Sequence, residues 1–93
     1  MADFIKAPGE LLDYTLNWED YLNERAETIT DSAFALVEPA HGLSITSDGN
    51  TETLTTVWLS GGTLNKTVRV KNTITTSGGR TAVRTKVWDI KER

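Results

Sequence analysis

Cysteine is absent from this 93-residue chain. Its absence excludes a disulfide framework, a zinc–thiolate centre and a thiol nucleophile, and fits a reducing compartment or assembly inside a cell. Long apolar runs are missing as well. No segment approaches the ~18 apolar residues a transmembrane helix requires, and Met1-Ala2-Asp3-Phe4 lacks the basic and apolar regions of a signal peptide. The expectation is a soluble chain with no recognisable export signal and no membrane partner.

The residues that carry chemistry are equally sparse. His41 is the only histidine and sits beside Gly42 in a loop-like stretch. There is no G-x-S-x-G elbow and no H-E-x-x-H pair. Gly61-Gly62 and Gly78-Gly79 lack the lysine and following helix of a phosphate loop, and Asp48-Gly49-Asn50 lacks the rest of a calcium loop. The early carboxylates Asp13, Glu19, Asp20, Glu24, Glu27 and Asp31 read as a solvated face, because a paired-acid hydrolase needs a cleft that a domain of this size rarely provides. No catalytic residue, cofactor or metal is expected, and the chain is read as a non-enzyme.

What is abundant is threonine: fifteen residues, against two prolines. Threonine is β-branched and suits a half-exposed pleated surface. Residues 1–10 read as an N-terminal arm, with Phe4 and Ile5 as apolar contacts, and residues 11–93 as a single domain. Leu12, Tyr14, Leu16 and Trp18 alternate with Leu11, Asp13, Thr15 and Asn17, the period of a half-buried strand. A short helical turn over 19–26 follows, with Asn17 as its cap and Tyr21 and Leu22 as its apolar contacts. Further strands are expected at 28–37, 43–46 and 52–59, with a turn at Ser47-Asp48-Gly49-Asn50. Trp18 and Trp58 are read as core or core-edge anchors at strand ends, and as interface hot spots if exposed.

The clearest pair of strands comes last. Val68, Val70, Asn72 and Ile74 alternate with Thr67, Arg69, Lys71 and Thr73. Read as the two central residues of a type I′ turn, Gly78-Gly79 sets Ser77 against Arg80, Ile74 against Val83 and Val70 against Val87. Arg69, Lys71, Arg84, Lys86 and Trp88 then share the opposite, basic face; a β-bulge after Lys86 would instead turn Trp88 and Ile90 into the core. Short strands with frequent turns indicate an all-β fold, a small antiparallel immunoglobulin-like or fibronectin-III-like sandwich of six or seven strands, with a small closed barrel as the alternative.

The charge is divided along the chain. Residues 1–52 hold eleven acids and two bases, whereas residues 53–93 hold two acids and eight bases, for a net charge of −3. Either the halves neutralise each other on packing, or acidic and basic faces persist and steer assembly.

Several segments resemble a family of small phage virion proteins described as fiber–tail adaptors. The resemblance rests on Leu12-Asp13-Tyr14 and Trp18-Glu19-Asp20-Tyr21-Leu22, on Glu27-Thr28-Ile29, and above all on Thr56-Val57-Trp58-Leu59-Ser60-Gly61-Gly62-Thr63 and Ile74-Thr75-Thr76-Ser77-Gly78-Gly79-Arg80-Thr81. It spans about residues 8–90. The chain departs from the family pattern at Asn23-Glu24-Arg25-Ala26, at Leu64-Asn65-Lys66 and at Ala82-Val83. The resemblance implies an Ig-like fold, no catalytic residues, a place in the virion after synthesis in the host cytoplasm, and assembly in multiple copies with tail, connector or fiber proteins. A capsid decoration or cement protein is the alternative virion role. Candidate partner-binding residues are Phe4, Ile5, Gly61, Gly62, Arg69, Lys71, Gly78, Gly79, Lys86 and Trp88.

Two further alternatives are a small enzyme or carbohydrate binder using surface tryptophans, and a nucleic-acid-binding module, with the basic ribbon meeting phosphates and Trp88 as a stacking platform. The acidic balance argues against the latter. Titration with DNA or RNA at low salt is expected to show no binding; a salt-sensitive signal lost in Lys71→Glu/Lys86→Glu would reverse that expectation.

Overall fold

The computed structural model describes residues 3–92. Among them are seven strands and one short helix: β1 (Phe4–Lys6), β2 (Leu12–Asn17), α1 (Glu19–Asn23), β3 (Ile29–Val37), β4 (Leu43–Asn50), β5 (Leu54–Gly61), β6 (Thr67–Thr76) and β7 (Thr81–Ile90). A four-stranded sheet, β1-β7-β6-β3, faces a three-stranded sheet, β2-β5-β4. The all-β sandwich is therefore what forms, as two separate sheets and not as a closed barrel. Its pairings are antiparallel except for β1, which runs parallel to β7 and makes the expected N-terminal arm part of the sheet.

Alternation decides which side chains meet between the sheets. On β6, Val68, Val70, Asn72 and Ile74 point inward and are fully buried, while Arg69 and Lys71 are exposed. On β2, Leu16 is buried and Tyr14 half-buried, and Trp18 closes the strand inside the core. The short helix follows, with the Asn17 Oδ1 accepting the Glu19 backbone N–H at 2.8 Å, Leu22 buried, and Tyr21 edge-on to Trp18.

The apolar interior has two parts. One gathers Leu43, Val57, Leu59, Val68, Val70, Trp88 and Ile90; the other gathers Leu16, Trp18, Leu22, Ile29 and Ile74. Between Val70 and Ile74 on β6 stands Asn72, 0% exposed. Its Oδ1 accepts from Trp18 Nε1 at 3.0 Å and from the Thr55 hydroxyl at 2.8 Å. Its Nδ2 donates to the Ser32 hydroxyl at 3.1 Å and the Ala33 carbonyl at 3.0 Å. Both donors and both acceptor directions of the amide are satisfied, and the bonds tie β3 and β6 of one sheet to β5 of the other.

Two turns differ from the sequence reading. Ser47-Asp48-Gly49-Asn50 is not a turn: Asp48 and Gly49 pair with Val57 and Thr56 inside β4. The reversal comes later, where the Thr51 hydroxyl accepts the N–H groups of Thr53 and Leu54. The loop carbonyls of Glu52 and Thr53 are in turn bonded by the N–H groups of Ile29 and Trp18. Those tertiary bonds fix the turn where the local Asp-Gly signal does not.

The second correction changes a face. Of Gly78-Gly79, only Gly79 takes a positive φ, at 82°. The Thr76 carbonyl accepts the Gly79 N–H and Thr76 N–H bonds the Arg80 carbonyl, so the loop has three residues and ends in a left-handed glycine. Thr76 thus stands across from Arg80, Ile74 pairs with Ala82, and Val70 with Lys86. The expected Val70–Val87 and Ile74–Val83 pairs are displaced by one residue. A one-residue slip exchanges the faces of β7: Trp88 and Ile90 enter the core without any bulge in the β6–β7 pairing, while Val83 becomes 54% exposed.

Truncation of the buried amide tests the central network. Asn72→Ala is expected to cost about 2–4 kcal/mol, from lost bonds, partners left unsatisfied and a small void. Asn72→Asp should cost at least as much at neutral pH, because it replaces both donors with acceptors facing a carbonyl. Urea denaturation of the three proteins measures this.

Candidate docking surfaces

The expected partner-binding residues do not form one surface. Phe4 is half-buried against the core, stacked on Trp88 at 4.7 Å and in contact with Tyr14 at 5.1 Å. Trp88 is 0% exposed, its indole N–H buried without a hydrogen-bond partner among the described residues. The expected basic face with an exposed Trp88 is thus corrected by the register: Trp88, Lys86 and Arg84 belong to the inner side of β7, whereas Arg69 and Lys71 belong to the outer side of β6. Neither Arg69–Trp88 nor Lys71–Lys86 is a cross-strand pair; the partners are Val87 and Thr85.

The glycine pairs occupy opposite ends of the sandwich and are shaped by their neighbours. Gly61 takes φ 76°, and a Cβ there would lie 2.7 Å from the Gly42 carbonyl oxygen. Its own carbonyl accepts a 2.8 Å hydrogen bond from the Lys6 ammonium, which also donates to the Ala7 carbonyl and is fully buried. Gly62, with φ 107°, packs against Ile90 so closely that a Cβ would come within 3.0–3.2 Å of three of its carbons. At the other end, the Glu27 carboxylate covers Gly78 and would collide with a Cβ, while its Oε2 lies 3.8 Å from Arg80 Nε.

Three of the expected residues do share a surface. Ile5, Arg69 and Lys71 lie on the outer face of the four-stranded sheet, with exposed Val37 and Ala35 across from the two bases on one side and Val87 and Thr85 on the other. Arg69, Lys71 and Lys86 form no salt bridge among the described residues; the only pair that crosses the acidic and basic halves is Arg80–Glu27. The free bases show that packing does not quench the basic half. Arg84 is the exception, its guanidinium 4.1 Å above the Trp18 ring and donating to the Asn17 carbonyl at 2.8 Å. That side chain fastens β7 to β2 and is not available to a ligand.

One of the two tryptophans read as core or core-edge anchors lies at the surface. Trp58 is 38% exposed on the outer face of the three-stranded sheet, between Asp13 and Ser47. The period of two was enough to find it, since Val57 and Leu59 are buried and place Trp58 on the other side. His41 lies in a loop at φ 49°, its carbonyl accepting the Thr63 hydroxyl. Among the described residues no cleft opens between the sheets, no three metal-binding side chains converge, and no helix is long and apolar enough to cross a membrane.

What remains is a solid sandwich whose distinguishing surfaces are two sheet faces, one basic and one centred on a tryptophan. The sequence model of one protein family, described as the podophage GP4 fiber-tail adaptor protein gp77, matches residues 6–88. The chain belongs to this family. The match contains all seven strands apart from the first residues of β1 and the last of β7. No curated protein matches the chain significantly. Membership in the fiber-tail adaptor family agrees with the resemblance carried by the Thr56–Thr63 and Ile74–Thr81 segments. Both segments turn out to include glycines required by packing.

Gly61→Ala should destabilise the fold by roughly 1–3 kcal/mol, through its positive φ and the Gly42 carbonyl, and Gly78→Ala by less, because the Glu27 carboxylate it displaces ends a flexible side chain. Arg69→Ala and Lys71→Ala should stay within about 0.5 kcal/mol of the parent. Thermal unfolding of the four variants separates packing positions from free surface.

Proposed function

We propose that the chain is a non-enzymatic virion subunit that bridges the phage tail or connector to a fiber or a neighbouring virion protein, present in several copies of a symmetric assembly. The family match over residues 6–88 carries this reading. The surface chemistry supports it. A sandwich 41 Å long with a filled interior presents faces and edges and not a pocket, as suits a spacer that holds two bodies at a set distance.

The contacts we assign to this role are Ile5, Arg69 and Lys71 on the outer face of the four-stranded sheet, with Lys86 apart from them on the inner side of β7. Trp58 on the other sheet is the strongest hot-spot candidate, since a partly exposed tryptophan gains most from being covered. With a free basic face on one sheet and Asp13 beside Trp58 on the other, neighbouring copies have opposite charges to present to one another. Heterologous contacts of that kind close into rings when the rotation permits. Repetition around such a ring makes individually weak contacts add by avidity. The glycine pairs and Trp88 act in this role only through the shape of the fold.

Localisation in intact particles tests the proposal. Tagged protein is expected at the tail–fiber junction, and particles assembled without the chain should lack fibers. Label on the capsid shell would replace the adaptor role with a decoration role. Arg69→Glu/Lys71→Glu should reduce incorporation at least tenfold with Tm unchanged to within a few degrees; normal incorporation would remove the basic face from the interface.

A further inference from the structure

We propose that the uncovered edge of β7 at Thr81–Thr85 takes up an extended, acidic segment of a partner protein as an added strand. The proposal deepens the adaptor reading and rests on it. Strand β1 is three residues long and pairs only with Trp88, Asp89 and Ile90. Asp3 extends the cover by one position, its backbone N–H bonding the Val87 carbonyl and its carboxylate accepting the Val87 N–H.

Beyond that point, among the described residues, β7 has a neighbour on one side only. The bonds from Thr76 N–H to the Arg80 carbonyl and from Ile90 N–H to the Lys66 carbonyl show that even-numbered positions of β7 face β6. In an antiparallel ladder the alternate residues point both N–H and C=O the other way. Those residues are Thr81, Val83 and Thr85, and no backbone or side-chain partner meets them among the described residues. Their side chains are exposed, Val83 at 54%. An incoming strand thus finds a row of unpaired donors and acceptors with an apolar contact at its centre, the arrangement used in recognition by strand addition.

Charge selects the occupant. Two copies pairing antiparallel about Val83 would set Lys86 of each against Arg80 of the other, and like charges directly opposite are destabilising. Inward-pointing charged residues on an edge, here Arg84 and Lys86, are also a known barrier to indiscriminate pairing. Arg84 is already held by Trp18 and Asn17. Lys86 on this strand and Lys71 beside Thr85 form no salt bridge among the described residues. The edge that repels a second copy therefore attracts an extended acidic segment, with one carboxylate on its inner side facing Lys86 and another on its outer side toward Lys71.

Hydrogen exchange of the full chain, free and inside assembled virions, tests this directly. Peptides covering residues 80–86 should exchange at least tenfold more slowly in virions. Val83→Pro deletes only an N–H aimed at the open edge, so the β6–β7 ladder keeps its bonds; it should reduce incorporation at least tenfold. If that variant does not fold, Lys86→Glu serves in its place with the same expected loss. Unchanged exchange at 80–86 in virions that contain the chain overturns the proposal and leaves the adaptor role intact. Absence of the chain from virions, read by mass spectrometry, overturns the adaptor role itself. A disulfide between two copies of the Val83→Cys variant in the particle overturns the acidic partner in favour of self-pairing.

Discussion

The carboxamide of Asn72 is the contact on which the two sheets depend. It stands where a sandwich of this size has an unbroken apolar layer, and it interrupts that layer with four hydrogen bonds, to Trp18, Thr55, Ser32 and Ala33. Apolar packing fixes how closely the sheets approach but is tolerant of sliding. A buried amide is not tolerant, because a shift that breaks one bond leaves a polar group unpaired at low dielectric. Its partners come from β3, β5 and the end of β2, so one residue sets the relative position of both sheets. The apolar clusters on either side then fill around it.

The face structure follows from a second constraint, the three-residue loop at the tip of β6 and β7. The left-handed Gly79 and the Thr76–Arg80 pairing give β7 the register that sends Trp88 and Ile90 inward. Phe4 and Tyr14 close over Trp88, which brings β1 onto the edge of β7 and, among the described residues, leaves the rest of that edge bare. The same register separates Arg69 and Lys71 from Arg84 and Lys86. The outer face of the four-stranded sheet keeps two uncompensated bases, and the seam between the sheets receives an arginine that binds Trp18. The surface available to a partner is in this sense a product of one turn.

Much of the fold was legible before any coordinates. The alternations at 12–18 and 67–76, the breaks at Pro39 and Gly61-Gly62, and the abundance of threonine led to the β-sandwich, the short helix after Trp18 and the inward set Val68, Val70, Asn72 and Ile74. Arg69 and Lys71 are exposed where alternation put them, and Ile5, which belongs to an arm without clear periodicity, is exposed as well. Trp88 and the glycine pairs were assigned to the surface for want of information on what covers them. Asp48-Gly49 misled because a turn signal is a local preference, overridden here by the N–H groups of Trp18 and Ile29 reaching the loop at 51–54.

The sequence by itself determined the class of structure and the positions of most strands, because side-chain period and residue type are local properties. Only the tertiary structure decided the register of β7, the burial of Trp88, the exposure of Val83 and the open edge at Thr81–Thr85. Each of these turns on a single residue of loop length or on which strand lies alongside. Local preference differs little between such alternatives, whereas the hydrogen bonds and packed volume of the assembled sandwich separate them widely.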